Sequence, residues 1–140
     1  MAVTQLSVIV ANAPGKAADI FGALARAKVD LRAVSVAENA DIGVVRIVVK
    51  DVTKTKAILK KKGLAFTVEQ VLAVALQDKP GALAKMLAPL AKKKINVEYL
   101  YGSACGSSAK GCDSVIILRV KEVNKASAAL KKAGYKLTRP

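Results

Sequence analysis

The chain has 140 residues and a formal net charge of +14; hydrophobic residues make up 53% of it and aromatics 4%. That length accommodates one ordinary domain or two small ones, with a core built from Val, Ile, Leu and Ala rather than from rings. No Trp, two Phe and three Tyr argue against a base-stacking nucleic-acid reader, and two Cys without any His exclude a conventional zinc site within one chain.

Residues 5–11 are largely apolar and β-branched and read as a first strand ending at Asn12. From Pro14 a helical period takes over, with Ala17, Ile20, Phe21 and Leu24 at i, i+3, i+4 and i+7. Residues 30–37 alternate as a second strand, residues 38–41 are turn chemistry, and residues 42–50 return as a third strand, giving a hairpin. Thr53 is the expected cap of a short helix carrying Ile58 and Leu59, and Gly63 its terminating residue. Residues 64–68 close a βαββαβ unit.

Adding 66 to each number reproduces the pattern. Pro14 and Gly15 become Pro80 and Gly81; the apolar stripe becomes Leu83, Met86, Leu87 and Leu90; Val29 and Asp30 become Ile95 and Asn96. Past the hairpin the offset is 71, so that residues 50–54 match residues 121–125 and Gly63 matches Gly134. The five-residue surplus falls in the Gly/Ser-rich stretch 102–111, with Cys105 and Cys112 at or just beyond it, and an insertion at a hairpin tip is what a structural repeat tolerates. These cysteines read as reduced loop residues. Pro89 sits inside the second helical stripe, which predicts a kink near residues 85–87. The expected domains are residues 1–68 and 71–140.

The stretch 77–83, Gln-Asp-Lys-Pro-Gly-Ala-Leu, joins an apolar strand to an apolar helix. Asp78 is expected to cap the helix, Pro80 to sit in its first turn, and Gly81 to let the backbone pass close to another group. Amides left pointing outward at a helix start suit a carboxylate. Residues 12–15, Asn-Ala-Pro-Gly, are the weaker copy.

Two βαββαβ units, each opening strand, Asn/Asp-x-Pro-Gly, apolar helix, then Val-Asp-Leu or Ile-Asn-Val, resemble tandem ACT domains, in particular stand-alone two-ACT proteins without an attached enzyme. The resemblance covers nearly the whole chain. It implies an α+β fold of two ferredoxin-like units with antiparallel four-stranded sheets, and a non-catalytic regulatory protein that binds an amino acid at interfaces between modules. Carried over by position, the ligand residues it implies are Asn12, Pro14, Gly15 and Asp30 in the first unit, and Asp78, Pro80, Gly81, Ala82, Leu83 and Asn96 in the second. The first unit departs from the motif in having Ala17 where the second has Leu83, and Asp30 where it has Asn96. Tyr99 and Tyr101 stand where the first unit has Ala33 and Ser35 and read as packing residues or ligand contacts.

The repeat alignment leaves only Glu69 and Gln70 between units, a reach of roughly 7 to 10 Å. The two units of one chain are therefore expected to stack sheet on sheet or to exchange a strand, side-by-side pairing through second strands is expected with another chain, and a homodimer or larger assembly follows. The third strands show apolar residues on both faces, so the face away from the helices is expected to be covered as well. Expected partners are a small-molecule amino acid, a second copy and a regulated enzyme, with no membrane, no specific nucleic acid, no metal and no cofactor. The absence of His, of a Walker-type loop and of a carboxylate cluster speaks against catalysis. No targeting segment is seen, which gives a cytoplasmic expectation. The lysines concentrate in stretches 54–62, 85–94 and 125–136 and read as solvated helix faces. The alternatives kept open are a basic nucleic-acid-binding protein of the same βαββαβ order and a subunit of an amino-acid biosynthetic enzyme.

Overall fold

The computed structural model describes residues 2–104 and 113–140; Cys105 and Cys112 lie outside the described residues. The elements run β1 (Val3–Ala11), α1 (Lys16–Arg26), β2 (Leu31–Asn39), β3 (Ile42–Val49), α2 (Val52–Lys61), β4 (Ala65–Leu76), α3 (Ala82–Lys92), β5 (Val97–Ala104), β6 (Ser114–Val120) and α4 (Val123–Lys132). Two compact units are formed, one by Thr4–Glu69 and the other by Gln70–Pro140 together with Met1–Val3.

The first unit orders its strands β2-β3-β1-β4, with β3 antiparallel to both β1 and β2. Side chains alternate across each strand, so Leu6 and Val8 of β1 and Val45, Ile47 and Val49 of β3 share one face. They form a single core with Ile20 and Leu24 of α1 and Leu59 of α2. Each such side chain fully removed from water contributes on the order of 1.5 to 3 kcal/mol.

The second unit orders its strands β4-β6-β5. Its core unites Leu72, Val74 and Leu76 with Met86 and Leu90 of α3, Leu118 and Val120 of β6, and Ala126 and Leu130 of α4. The expected fourth strand is reduced to an isolated bridge between Val74 and Leu137. Flanking bonds run from the Ala75 N–H to the Lys136 carbonyl at 3.0 Å and from the Thr138 N–H to the Ala73 carbonyl at 2.9 Å. Four-stranded sheets in both units are therefore corrected: among the described residues the first has four strands, the second three and a bridge.

The two-residue linker is also corrected. Glu69 and Gln70 lie inside β4, a single strand of 12 residues that belongs to the first unit as far as Glu69 and to the second from Gln70. The face away from the helices is covered in part, since Ile9 on it is 44% exposed. Val48 and Ala33, and in the second unit Val71, Ala73, Val115 and Ile117, are all buried. That face in the first unit also holds polar residues, because Gln5 and Ser7 are buried too. The Gln5 amide donates to Ser7 Oγ at 3.2 Å and to Glu69 Oε2 at 3.1 Å, and the Ser7 hydroxyl donates to the same carboxylate oxygen at 2.9 Å. A satisfied network is what makes this burial tolerable.

All four helices end alike. The amide two residues beyond the C-cap bonds the carbonyl of the third residue from the helix end: Val29 to Leu24, Leu64 to Leu59, Ile95 to Leu90 and Tyr135 to Leu130, each at 3.0 or 3.1 Å. This is the Schellman arrangement with its apolar pair, and it requires a left-handed residue between. Gly63 and Gly134 fill that place after α2 and α4, whereas Lys28 (φ 54°) and Lys94 (φ 55°) fill it after α1 and α3. A lysine there carries the left-handed penalty of about 1 kcal/mol but sets a cation at the negative end of the helix.

At the start of α2 the cap is Asp51 rather than Thr53: its carboxylate accepts from the Lys54 N–H at 2.9 Å. Thr55, fully buried, returns its hydroxyl to the Asp51 carbonyl at 2.8 Å. Helix α3 runs through Pro89 to Lys92, with the Lys93 N–H bonded to the Pro89 carbonyl at 3.3 Å.

Two stability measurements check these assignments. In urea unfolding, Asp51→Ala is expected to cost about 1 kcal/mol and Thr53→Ala to lie within about 0.5 kcal/mol of the parent; the reverse order would reject the cap. Lys94→Gly is expected to gain roughly 0.5 kcal/mol, relief of the left-handed strain outweighing the added freedom of the unfolded chain, while Gly134→Ala loses about 1 kcal/mol.

Candidate functional site

Each unit turns from a strand into a helix through Pro-Gly. Gly15 stands at φ 82°, ψ −11° as the N-cap of α1, and Gly81 at φ 82°, ψ −5° as the N-cap of α3; neither helix has a side-chain cap. A left-handed backbone at this point is open to glycine with little strain. Asp78 therefore does not cap α3, and Pro80 lies in the turn before the helix. With no capping side chain, the first amide of each helix bonds back into the turn, the Lys16 N–H to the Ala13 carbonyl at 3.4 Å and the Ala82 N–H to the Lys79 carbonyl at 3.1 Å, and the next two amides of each first turn have no intrahelical acceptor.

In the first unit the turn is tied to the hairpin beside it. The Asn12 backbone N–H bonds the Asp41 carbonyl at 2.8 Å, and the Asn12 side-chain amide donates to the Ala40 carbonyl at 2.9 Å. Across this turn lies a cavity of about 270 Å³ whose lining includes Asn12, Ala13, Lys16 and Ala17 from the turn and helix, and Val36 and Glu38 from β2. Lys16 and Glu38 place opposite charges on it. Reading by sequence missed both, taking Glu38 as turn chemistry only; the charge at the first helical residue was the available signal for Lys16.

In the second unit the Asp78 N–H donates to Asp113 Oδ2 at 3.0 Å. The cavity beside this turn, about 400 Å³, is lined by Gln77, Lys79, Pro80, Ala82, Lys85 and Tyr135 among others. It is the more cationic of the two. Lys85 stands at the repeat position of Asp19, and Asp19 is paired with Lys62 at 3.0 Å, an exposed bridge worth at most about 1 kcal/mol. Lys79 and Lys85 have no carboxylate partner among the described residues.

The predicted site residues are only partly brought together. Asn12, Pro80 and Ala82 line the cavities, and Gly15 and Gly81 shape the turns. Asp78 and Pro14 lie in the turns and are not among the residues lining these two cavities, and Leu83 is partly exposed at the start of α3. Asp30 and Asn96 are elsewhere. Asp30 precedes β2, whose first residue pairs with Val49 while its last pairs with Ile42 beside the turn. The strand separates Asp30 from Asn12 by about 25 Å. Asp30 pairs with Arg32 at 2.8 Å and lines a different cavity, of about 550 Å³, with Lys28, Lys50, Asp51 and Lys54. Asn96 has the same place before β5, next to the irregularity between Val97 and Tyr99 that matches the one between Leu31 and Ala33. These bulges re-aim the charged residue they carry, Arg32 in one unit and Glu98 in the other, the latter 3.7 Å from Arg119.

Among the described residues no cluster of His, Cys, Asp and Glu could hold a metal ion, and no helix is long and apolar enough to cross a membrane.

Comparison with known proteins places this geometry in a family. No curated protein matches the chain. Among solved structures, protein BT0572 from Bacteroides thetaiotaomicron is 29% identical, with a TM-score of 0.88 over 99% of this chain and 93% of that one. The regulatory subunit of aspartate kinase from Thermus thermophilus is 19% identical, with a TM-score of 0.65 over 93% and 91%. Its counterpart from Thermus flavus is 18% identical, with a TM-score of 0.62 over 94% and 92%. The last two share the fold. The family model described as the ACT domain pair matches residues 1–136, and the chain belongs to that family.

Proposed function

We propose that this protein is a non-catalytic sensor that binds a free amino acid and conveys its occupancy to a partner in amino-acid metabolism, in the cytoplasm. The carrying observation is the repeated Pro-Gly turn with its cavity, on a chain that matches the ACT domain pair over residues 1–136. A zwitterion needs donors for its carboxylate and acceptors for its ammonium. The next amides of the first turns, those of Ala17 and Ala18 and of Leu83 and Ala84, are the donors, and Asn12, Asp30, Asp78 and Asn96 are the proposed acceptors and locating groups.

The separation of Asp30 from Asn12 within one unit supports a shared site. β2 ends its strand order, and Leu31, Val34 and Val36 along it are 38%, 46% and 55% exposed. An edge with free backbone groups and exposed valines is suited to pairing with a second copy. Antiparallel pairing of two β2 edges sets the start of one strand beside the end of the other, bringing Asp30 of one copy toward the turn of its neighbour. The ligand then completes an interface, and its binding changes assembly geometry, which is how occupancy reaches a regulated enzyme.

Two measurements test this reading. A thermal-shift screen of the twenty amino acids is expected to find at least one that raises Tm, since ligand at about 100 times its Kd adds roughly 2.7 kcal/mol. A variant carrying Asn12→Ala, Asp30→Ala, Asp78→Ala and Asn96→Ala is expected to lose the shift, and a retained shift would reject these residues. Light scattering at micromolar concentration is expected to give at least twice the chain mass, and Val34→Lys with Val36→Lys to lower it to a single chain. A parent protein that is monomeric would remove the shared site.

A further inference from the structure

Resting on the amino-acid-sensor reading, we infer that the cavity of the first unit selects an aliphatic amino acid such as valine. Lys16 and Glu38 are the counter-charges of its carboxylate and ammonium, and Val10, Val36 and Val45 are the aliphatic walls for its apolar part.

The register places these groups. Gly43 of β3 pairs with Val10 of β1 on one side and with Glu38 of β2 on the other. Alternation sets Val10, Val36, Glu38, Gly43 and Val45 on one face, and all five line the cavity together with Lys16 and Ala17. The floor is aliphatic and the charges stand at the turn and at the end of β2. Neither Lys16 nor Glu38 has an ion-pair partner among the described residues. Glu38 is held in place because its Oε2 accepts the Ala40 N–H at 3.1 Å.

Gly43 is the informative residue. It is not among the glycines at positive φ, which are Gly15, Gly63, Gly81 and Gly134, so its backbone does not demand glycine. In a strand, glycine is otherwise a disadvantage. A Cβ built there would meet Val10 Cγ2 at 3.2 Å, so glycine lets Val10 pack closely over β3, and a side chain in its place would push Val10 toward the cavity. A polar ligand side chain set on that floor would exchange water for aliphatic walls without gaining a hydrogen bond, which disfavours it. The selection belongs to the first unit. By the repeat offsets, Lys16, Ala17 and Gly43 correspond to Ala82, Leu83 and Ser114, so the second unit lacks the cation, carries a larger side chain and lacks the glycine. Its cavity is set instead among Lys79, Lys85 and Tyr135.

Isothermal titration of the full chain tests the inference, with valine, isoleucine, alanine, serine and aspartate, and with N-acetylvaline and valinamide as probes lacking the ammonium and the carboxylate. Valine or isoleucine is expected to bind roughly tenfold or more tighter than serine or aspartate, and both blocked probes at least about tenfold weaker than valine. Gly43→Ala is expected to weaken valine and isoleucine more than alanine, with its melting curve confirming a folded protein. The exposed-site variants Lys16→Met and Glu38→Gln, in contrast, are expected to weaken every amino acid by about tenfold and leave the aliphatic preference intact. If no amino acid of the twenty binds, the sensor reading and this inference fall together. If amino acids bind but serine or aspartate matches valine, or if Gly43→Ala, Lys16→Met and Glu38→Gln all bind valine like the parent, the sensor reading stands and this inference is overturned.

Discussion

Both candidate sites depend on one backbone constraint, a glycine held in the left-handed region where a strand turns into a helix. Gly15 and Gly81 adopt nearly the same angles, 66 residues apart. Because the N-cap is glycine, no side chain folds back onto the first-turn amides, and the positive end of the helix faces the turn uncapped. The strand before the turn and the helix after it are fixed by the two cores, through Leu6 and Val8 with Ile20 and Leu24 in one unit and through Leu72 and Val74 with Met86 and Leu90 in the other. The cavity is what remains between a rigid strand end, a rigid helix start and the neighbouring element. Placing binding groups on such elements limits the ordering cost of a ligand.

The repeat supplies this frame twice but does not furnish it twice alike. In the first unit the turn opens toward the end of β2, where Val36, Glu38 and Gly43 lie. In the second it opens toward Tyr135 and the lysines of the turn and helix. Substitution at a few matching positions, Lys16 against Ala82, Asp19 against Lys85 and Gly43 against Ser114, moves charge and space from one side of the turn to the other. Under the proposed sensor reading, two sites of different chemistry on one chain would report on two ligands or on two concentrations of one. Any coupling between them is a difference in affinity that each imposes equally on the other.

Much of this fold was legible in the sequence because periodicity and repetition are strong signals. The helical stripes, the hairpins, the glycines after α2 and α4 and the matching residues 66 and 71 apart all follow from local pattern. What escaped were features set by neighbours in space. Asp51 took the cap expected of Thr53 because the helix begins at Val52, which puts Asp51 just before it and Thr53 inside its first turn. Glu69 and Gln70 read as a linker because the repeat alignment left them between the units, yet both continue a strand in which Glu69 completes a network with the buried Gln5 and Ser7. Lys28 and Lys94 gave no sign of left-handed geometry, which lysine rarely adopts. The turn residues of the sites were legible as Pro-Gly punctuation, whereas Glu38, Gly43 and Tyr135 reach the cavities only through strand pairing and helix packing. Asp30 and Asn96 were placed with the turns by resemblance, and within a single unit the strand holds Asp30 at the far end.

The most direct test of the central claim, that the Pro-Gly turn of the first unit is a binding site for an amino acid, is the location of bound ligand by amide chemical shifts in solution. Titration of the isotopically labelled full chain with valine is expected to move the amide signals of residues 12–18, together with those of Glu38 and Gly43, saturably and more than the rest of the first unit. Saturating binding of an amino acid that leaves those signals in place while moving others, or no movement with any of the twenty, would contradict it.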